Sequence, residues 1–225
     1  MGAITRTVAN NFTTGGVIQP AAINNASVAS ISALSQISSG GAEVLIKTVT
    51  ASSSSTVTFV DGSSSVVLDN TYPVYKFEFI NIHPASDRVN FMMNMSTDAG
   101  SNYNVTKTTN CFLNYHFEND SSNPLEYRAD LDLDQSTGDQ NFGSGVGNGN
   151  DESLSGHMFL FNPSGTTHVK QFFAVTQMLE GQDMSFNSYI GGYGNTTSAI
   201  DGVRFQMSSG NIDSGIIKLY GIKDS

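Results

Sequence analysis

From Glu43 onward the apolar residues recur with a period of two, the spacing of strands that bury one face. The strongest run covers residues 72–82, where Tyr75, Phe77 and Phe79 project to one side and Lys76, Glu78 and Ile80 to the other. Val89, Phe91, Met93 and Met95 alternate in the same way, as do Cys111, Leu113, Tyr115 and Phe117, and then Tyr127, Ala129, Leu131 and Leu133. The second half repeats the pattern over 158–161, 169–178, 184–190, 203–207 and 216–222, for about ten strands in all. Asp61-Gly62, Asp98-Ala99-Gly100, Ser209-Gly210-Asn211 and Asp213-Ser214-Gly215 read as tight reversals, which favour antiparallel pairing. No long helical period interrupts the run. The pattern predicts an all-β fold over 42–225, an antiparallel jelly-roll-like β-sandwich. Residues 52–55 with 63–65, and the Gly-rich stretch 138–155, read as loops.

Residues 1–41 follow a different rule. They hold few large apolar groups and a single charge, Arg6, and are punctuated by Asn10-Asn11, Gly15-Gly16, Pro20, Asn24-Asn25 and Gly40-Gly41. Such a segment buries too little apolar surface to offset its own ordering entropy. It reads as an extended N-terminal arm that docks on something else. Within it Val28, Ile31, Leu34 and Ile37 keep a three-residue spacing, so the competing expectation is that these four pack onto the sandwich or into an oligomer core.

Composition narrows the chemistry. Ser, Thr and Asn make up 70 of the 225 residues and charged residues only 13%, so the surface is rich in hydroxyls and amides. A net charge of −10 repels phosphate backbones and anionic membranes, which argues against nucleic-acid partners. No apolar run approaches the roughly 18 residues of a membrane helix, so no membrane insertion is expected. The N-terminus shows neither a secretory apolar region nor a myristoylation signal, Arg6 standing where Ser or Thr is needed. One cysteine, Cys111, closes no intrachain disulfide, and His83, His116, His157 and His168 are scattered without metal-ligand spacing. The expectation is a chain made in a reducing cytoplasm, with no cofactor.

Four features invite chemistry. Along Glu126-Tyr-Arg-Ala-Asp-Leu-Asp-Leu-Asp134 a strand would set Asp130, Asp132 and Asp134 on one face, either as a solvated, edge-protecting acidic surface or as a cation site. An EF-hand would need Gly at Gln135 and Glu at Asn141, and fails. Tyr189 and Tyr193, in Tyr-Ile-Gly-Gly-Tyr-Gly, are either a buried strand end or flat rings exposed for sugar stacking. Gly145-Val-Gly-Asn-Gly-Asn150 superficially resembles a phosphate loop but lacks its Gly-Lys-Ser/Thr ending and reads as a surface turn. Glu118, Asp120, Asp151 and Glu152 are the carboxylates available for glycoside hydrolysis, with no separation set by sequence. No serine sits in a nucleophile elbow, and the expectation is a non-enzyme with no catalytic residues. His83 before Pro84 reads as a turn residue, His116 as outward-facing, and Met92, Met93 and Met95 as core filler.

Thr13-Thr-Gly-Gly-Val with Ala22-Ile-Asn-Asn-Ala-Ser-Val28, Phe79-Ile-Asn-Ile-His-Pro84, Ser96-Thr-Asp-Ala-Gly-Ser-Asn-Tyr-Asn-Val-Thr106, Gly147-Asn-Gly-Asn-Asp-Glu-Ser153, Phe161-Asn-Pro-Ser164 and the ending 208–222 resemble a family of marine bacteriophage virion proteins. The resemblance spans nearly the whole chain through turns and strand ends, with no catalytic signature. It implies a non-catalytic appendage on the particle exterior, of tail-fibre or capsid-decoration type, found in the virion and made in the host bacterial cytoplasm. The implied partners are other virion proteins, met through residues 1–41, and further copies of the chain, a trimer first. The alternative is a receptor- or carbohydrate-binding module that recognises a host surface glycan.

Overall fold

The computed structural model describes residues 42–224, so the expectations for residues 1–41 lie outside the described residues. The described residues are all-β. Twelve strands follow in order: β1 Glu43–Ser54, β2 Val57–Val60, β3 Val74–Pro84, β4 Val89–Ser96, β5 Lys107–Phe117, β6 Leu125–Tyr127, β7 Gln140–Val146, β8 Leu154–Phe161, β9 Lys170–Glu180, β10 Met184–Gly194, β11 Gly202–Met207 and β12 Ile212–Ile222. Every pairing is antiparallel. A large sheet runs β1-β12-β3-β8-β9-β10-β5-β6, and a small one β7-β4-β11-β2. A single bridge, Val146 to Glu180, joins them.

The apolar faces of the two sheets meet in a sandwich core, the expected closure. Phe205 of β11 is its hub. Its ring centroid lies 5.1 Å from Phe79, 5.3 Å from Phe77, 5.8 Å from Phe91, 6.3 Å from Phe59 and 6.5 Å from Phe142. All six rings are buried, as are Met93 and Met95, which fill the gaps between rings. The face assigned to Tyr75, Phe77 and Phe79 is the inward one, and so is that of Cys111 and Leu113.

Several sequence expectations need correction. The stretch 138–155 is not one loop: it holds β7, whose Phe142 and Val146 face the core, because glycine alternates there with inward apolar residues. Residues 52–54 end β1, whereas 63–65 do form a turn. Residues 127–133 are not a strand beyond Tyr127. Asp213-Ser214-Gly215 is not a reversal but a bulged part of β12, paired with His83 through Ser214. His83 likewise lies within β3. The turns after Asp98 and Ser208 lead between the two sheets instead of closing hairpins. Consecutive strands therefore change layer repeatedly, as in jelly rolls.

Candidate functional site

The acidic run Asp130, Asp132 and Asp134 does not form a strand face. Within 125–134 only Leu125–Tyr127 forms a strand against β5, and the chain then turns at residues 129–131. Arg128 grips Asp130 with two hydrogen bonds, 2.7 Å from Nε and 2.6 Å from Nη2, which hold that carboxyl below the usual carboxylate range. The Tyr127 hydroxyl donates to Asp132. The alternation failed because the segment bends at this turn and follows the edge of β5 only intermittently on its way to β7: Leu133 N donates to Thr109 Oγ1 at 2.8 Å, and Lys107 and Ser136 pair through their backbones. Among the described residues no three His, Cys, Asp or Glu side chains come together to hold a metal ion.

The glycine-rich turn that follows β7, residues 147–150, encloses an anion of its own. Gly149 N donates to the Glu152 carboxylate, and a Cβ on Gly149 would sit 2.8 Å from that carboxylate. Glu152 thus takes the place a phosphate would need. His83 Nε2 bonds Gly149 O at 3.1 Å, tying the loop to β3. His116 is exposed as expected and pairs with Asp120 at 2.9 Å. An open bay of about 580 Å³ lies nearby, lined by His116, Glu118, Asp151, Ser153, Ser155 and Gln177.

Charged groups that the sequence reading missed lie inside the sandwich. Lys107, fully buried, donates to Asn94 Oδ1 and Val105 O, both at 2.6 Å, and burial pushes its ammonium down to about 8. Asp139 nearby accepts from Asn94, Arg204 and Gln206 at 2.8, 2.9 and 2.9 Å. Lys170 donates to Gly165 O and His168 O, pinning the loop before β9. Glu180 beside the inter-sheet bridge is buried, pairs with Arg88 at 3.0 Å and is pushed up by desolvation. Each is in phase with inward apolar neighbours: Lys107 with Cys111 and Leu113, Lys170 with Phe172, Glu180 with Met178. Phase was the signal available. Burial also raises the Cys111 thiol to about 11, which leaves it unreactive at neutral pH.

The broadest feature is the outer face of the large sheet. β9, β10 and β5 each have five outward positions, and none holds Asp, Glu, Lys or Arg, in a chain of net charge −10. Aromatic rings and amides alternate there. Cross-strand pairing sets Val175, Tyr189, Phe112 and Tyr127 in one row and Phe159, Phe173, Gly191 and Asn110 in the next. Tyr189 is 39% exposed and Phe173 40%, so Tyr189 is not a buried strand end. Its ring lies parallel to that of Phe112, 4.9 Å away at 5°, so one ring face is already covered. Tyr193 is half-buried on the same side of β10, and Phe173 leans on Phe159 and Phe161 at 5.0 and 5.8 Å. The structure thus brings Tyr189 and Tyr193 to one surface, and the Asp130 turn borders it beyond β5, where Tyr127 holds Asp132. No family model, no curated protein and no solved structure matches the chain.

Proposed function

We propose that the chain is a non-catalytic structural protein of a bacteriophage particle, of tail-fibre or capsid-decoration type, which docks through residues 1–41 and presents its sandwich outward as a homo-oligomer. The observation that carries this reading is the aromatic and amide surface of β9, β10 and β5, whose outward positions hold no Asp, Glu, Lys or Arg, on an otherwise acidic molecule. Such a face suits recognition at contact, since its rings and amides offer flat apolar surface beside hydrogen-bonding groups. The turn motifs that resemble virion proteins support the same reading. A second reading, an adhesion module for a host glycan, is favoured by the exposure of Tyr189 and Phe173 beside Tyr193.

Mass spectrometry of purified particles tests the proposal: the protein should be present at a fixed copy number, and residues 42–225 expressed alone should fold but fail to join the particle. Its absence from particles, or release of reducing sugar from polysaccharide by the purified chain, would overturn it.

A further inference from the structure

Glycine in the middle of a strand weakens it, and therefore marks a tight packing constraint or a place where another molecule approaches closely. β10 has three glycines in four residues, Gly191, Gly192 and Gly194. Packing accounts for two of them. A Cβ on Gly192 would lie 2.6 Å from Thr108 O, and one on Gly194 2.9 Å from Met95 Cε. Gly191 is different. Its Cβ would meet nothing nearer than Asn110 Oδ1 at 3.4 Å, an ordinary contact, and its φ lies outside the left-handed region. The fold has room for a side chain there, and the sequence leaves bare backbone.

That bare backbone sits at the centre of the uncharged face. Tyr189 and Tyr193 stand two residues to either side on the same strand, about 7 Å away along it. Phe173 of β9 and Asn110 of β5 are the cross-strand neighbours. We propose that the patch over Gly191, walled by Tyr189, Tyr193, Phe173 and Asn110, binds an uncharged sugar residue of a glycan chain. The C–H face of a pyranose packs on aromatic rings, its hydroxyls both donate and accept as amide groups require, and glycine lets it reach the sheet. The absence of Asp, Glu, Lys and Arg from the outward positions of three adjacent strands matches a neutral glycan and leaves an acidic one without a Lys or Arg there to pair. A second copy of the chain fits less well. The cores of subunit interfaces are mostly apolar, and here Asn110, Asn114, Asn187, Gln171 and Gln177 interrupt the rings.

The inference rests on reading the chain as an exposed recognition component of a particle, and its test is separable from that reading. The full chain is titrated calorimetrically with maltohexaose, cellohexaose, xylohexaose and mannohexaose, and with heparin and alginate oligomers as charged controls. At least one uncharged oligosaccharide should bind. Gly191→Val should fill the patch and weaken binding about tenfold or more without lowering Tm, and Tyr193→Ala and Asn110→Ala should weaken it in proportion to their contact. Binding of the charged oligomers alone, no binding of the four neutral ones at millimolar concentration, or undiminished binding in all three variants would overturn the proposal. So would light scattering that shows Gly191→Val splitting an oligomer without any sugar bound, which would assign the patch to a second copy. Particles that incorporate Gly191→Val at the normal copy number would uphold the particle role whatever the sugar result.

Discussion

Burial of Lys107 has a measurable signature in how stability changes with pH. In the unfolded chain its ammonium titrates near the ordinary 10.5; inside the sandwich burial lowers this to about 8, with Asp139 opposing the shift and Arg204 adding to it. Below pH 8 both states carry the proton, and the cost of holding an ion in the core is fully present. Between 8 and 10.5 the unfolded chain binds a proton that the folded one has released, so stability rises with pH by about 1.4 kcal/mol per unit. Over the window the gain is about 3 kcal/mol, and above it both states are neutral. Tyrosines titrate in the same range, so the wild type is compared with Lys107→Met, which keeps the apolar stem and loses the titration. The variant also leaves Val105 O short of a donor, but that penalty is the same at every pH. Urea unfolding followed by circular dichroism from pH 7.5 to 10.5 should show the wild type gaining about 3 kcal/mol on the variant. Parallel curves would refute the argument and place the Lys107 ammonium in contact with solvent.

Four further outcomes follow from the packing. Phe205→Ala removes the hub of the aromatic core and should cost about 3–5 kcal/mol in denaturant unfolding. Gly192→Ala drives a Cβ against backbone Thr108 O and should destabilise by about 1–3 kcal/mol, whereas Gly191→Ala should be neutral or slightly stabilising; equal effects would contradict the geometry of β10. Millimolar calcium or a chelator should leave Tm unchanged, because Asp130 and Asp132 are engaged by Arg128 and Tyr127; an ion held at a hundred times its dissociation constant would add about 2.7 kcal/mol. Arg88→Met strips Glu180 of its partner and should cost about 1–3 kcal/mol at pH 7. Since the Glu180 carboxyl is raised in the folded state, acidification toward its ordinary 4.5 protonates it and should restore part of that loss, as urea unfolding at pH 5 would detect.

Alternation revealed most strands because a sheet buried on one side imposes period two wherever its inward residues are large. Tyr75, Phe77 and Phe79 are the clearest case. The signal failed where glycine stood in for a side chain, as in β7, and where polar residues alternated for another reason, as in 128–134, whose carboxylates face Arg128 and a tyrosine. Pairing order was not legible, since local turn chemistry does not say whether the next strand joins the same layer. Tyr189 was legible as an aromatic candidate, but its stack on Phe112 depends on a register between residues 77 positions apart. The importance of Gly191 needed the contrast with Gly192, which only the positions of Thr108 and Asn110 supply.

A sheet face without Asp, Glu, Lys or Arg responds to salt differently from the surface around it. Coulomb forces between exposed charges reach about 10 Å at 0.1 M salt and about 3 Å at 1 M. Rings and amides act only at contact and lose nothing over that range. The −10 charge carried elsewhere holds copies apart in dilute solution, and concentrated salt removes this repulsion while leaving the face as it was. On the reading proposed above, contact at this face should therefore be as firm in brine as in fresh water.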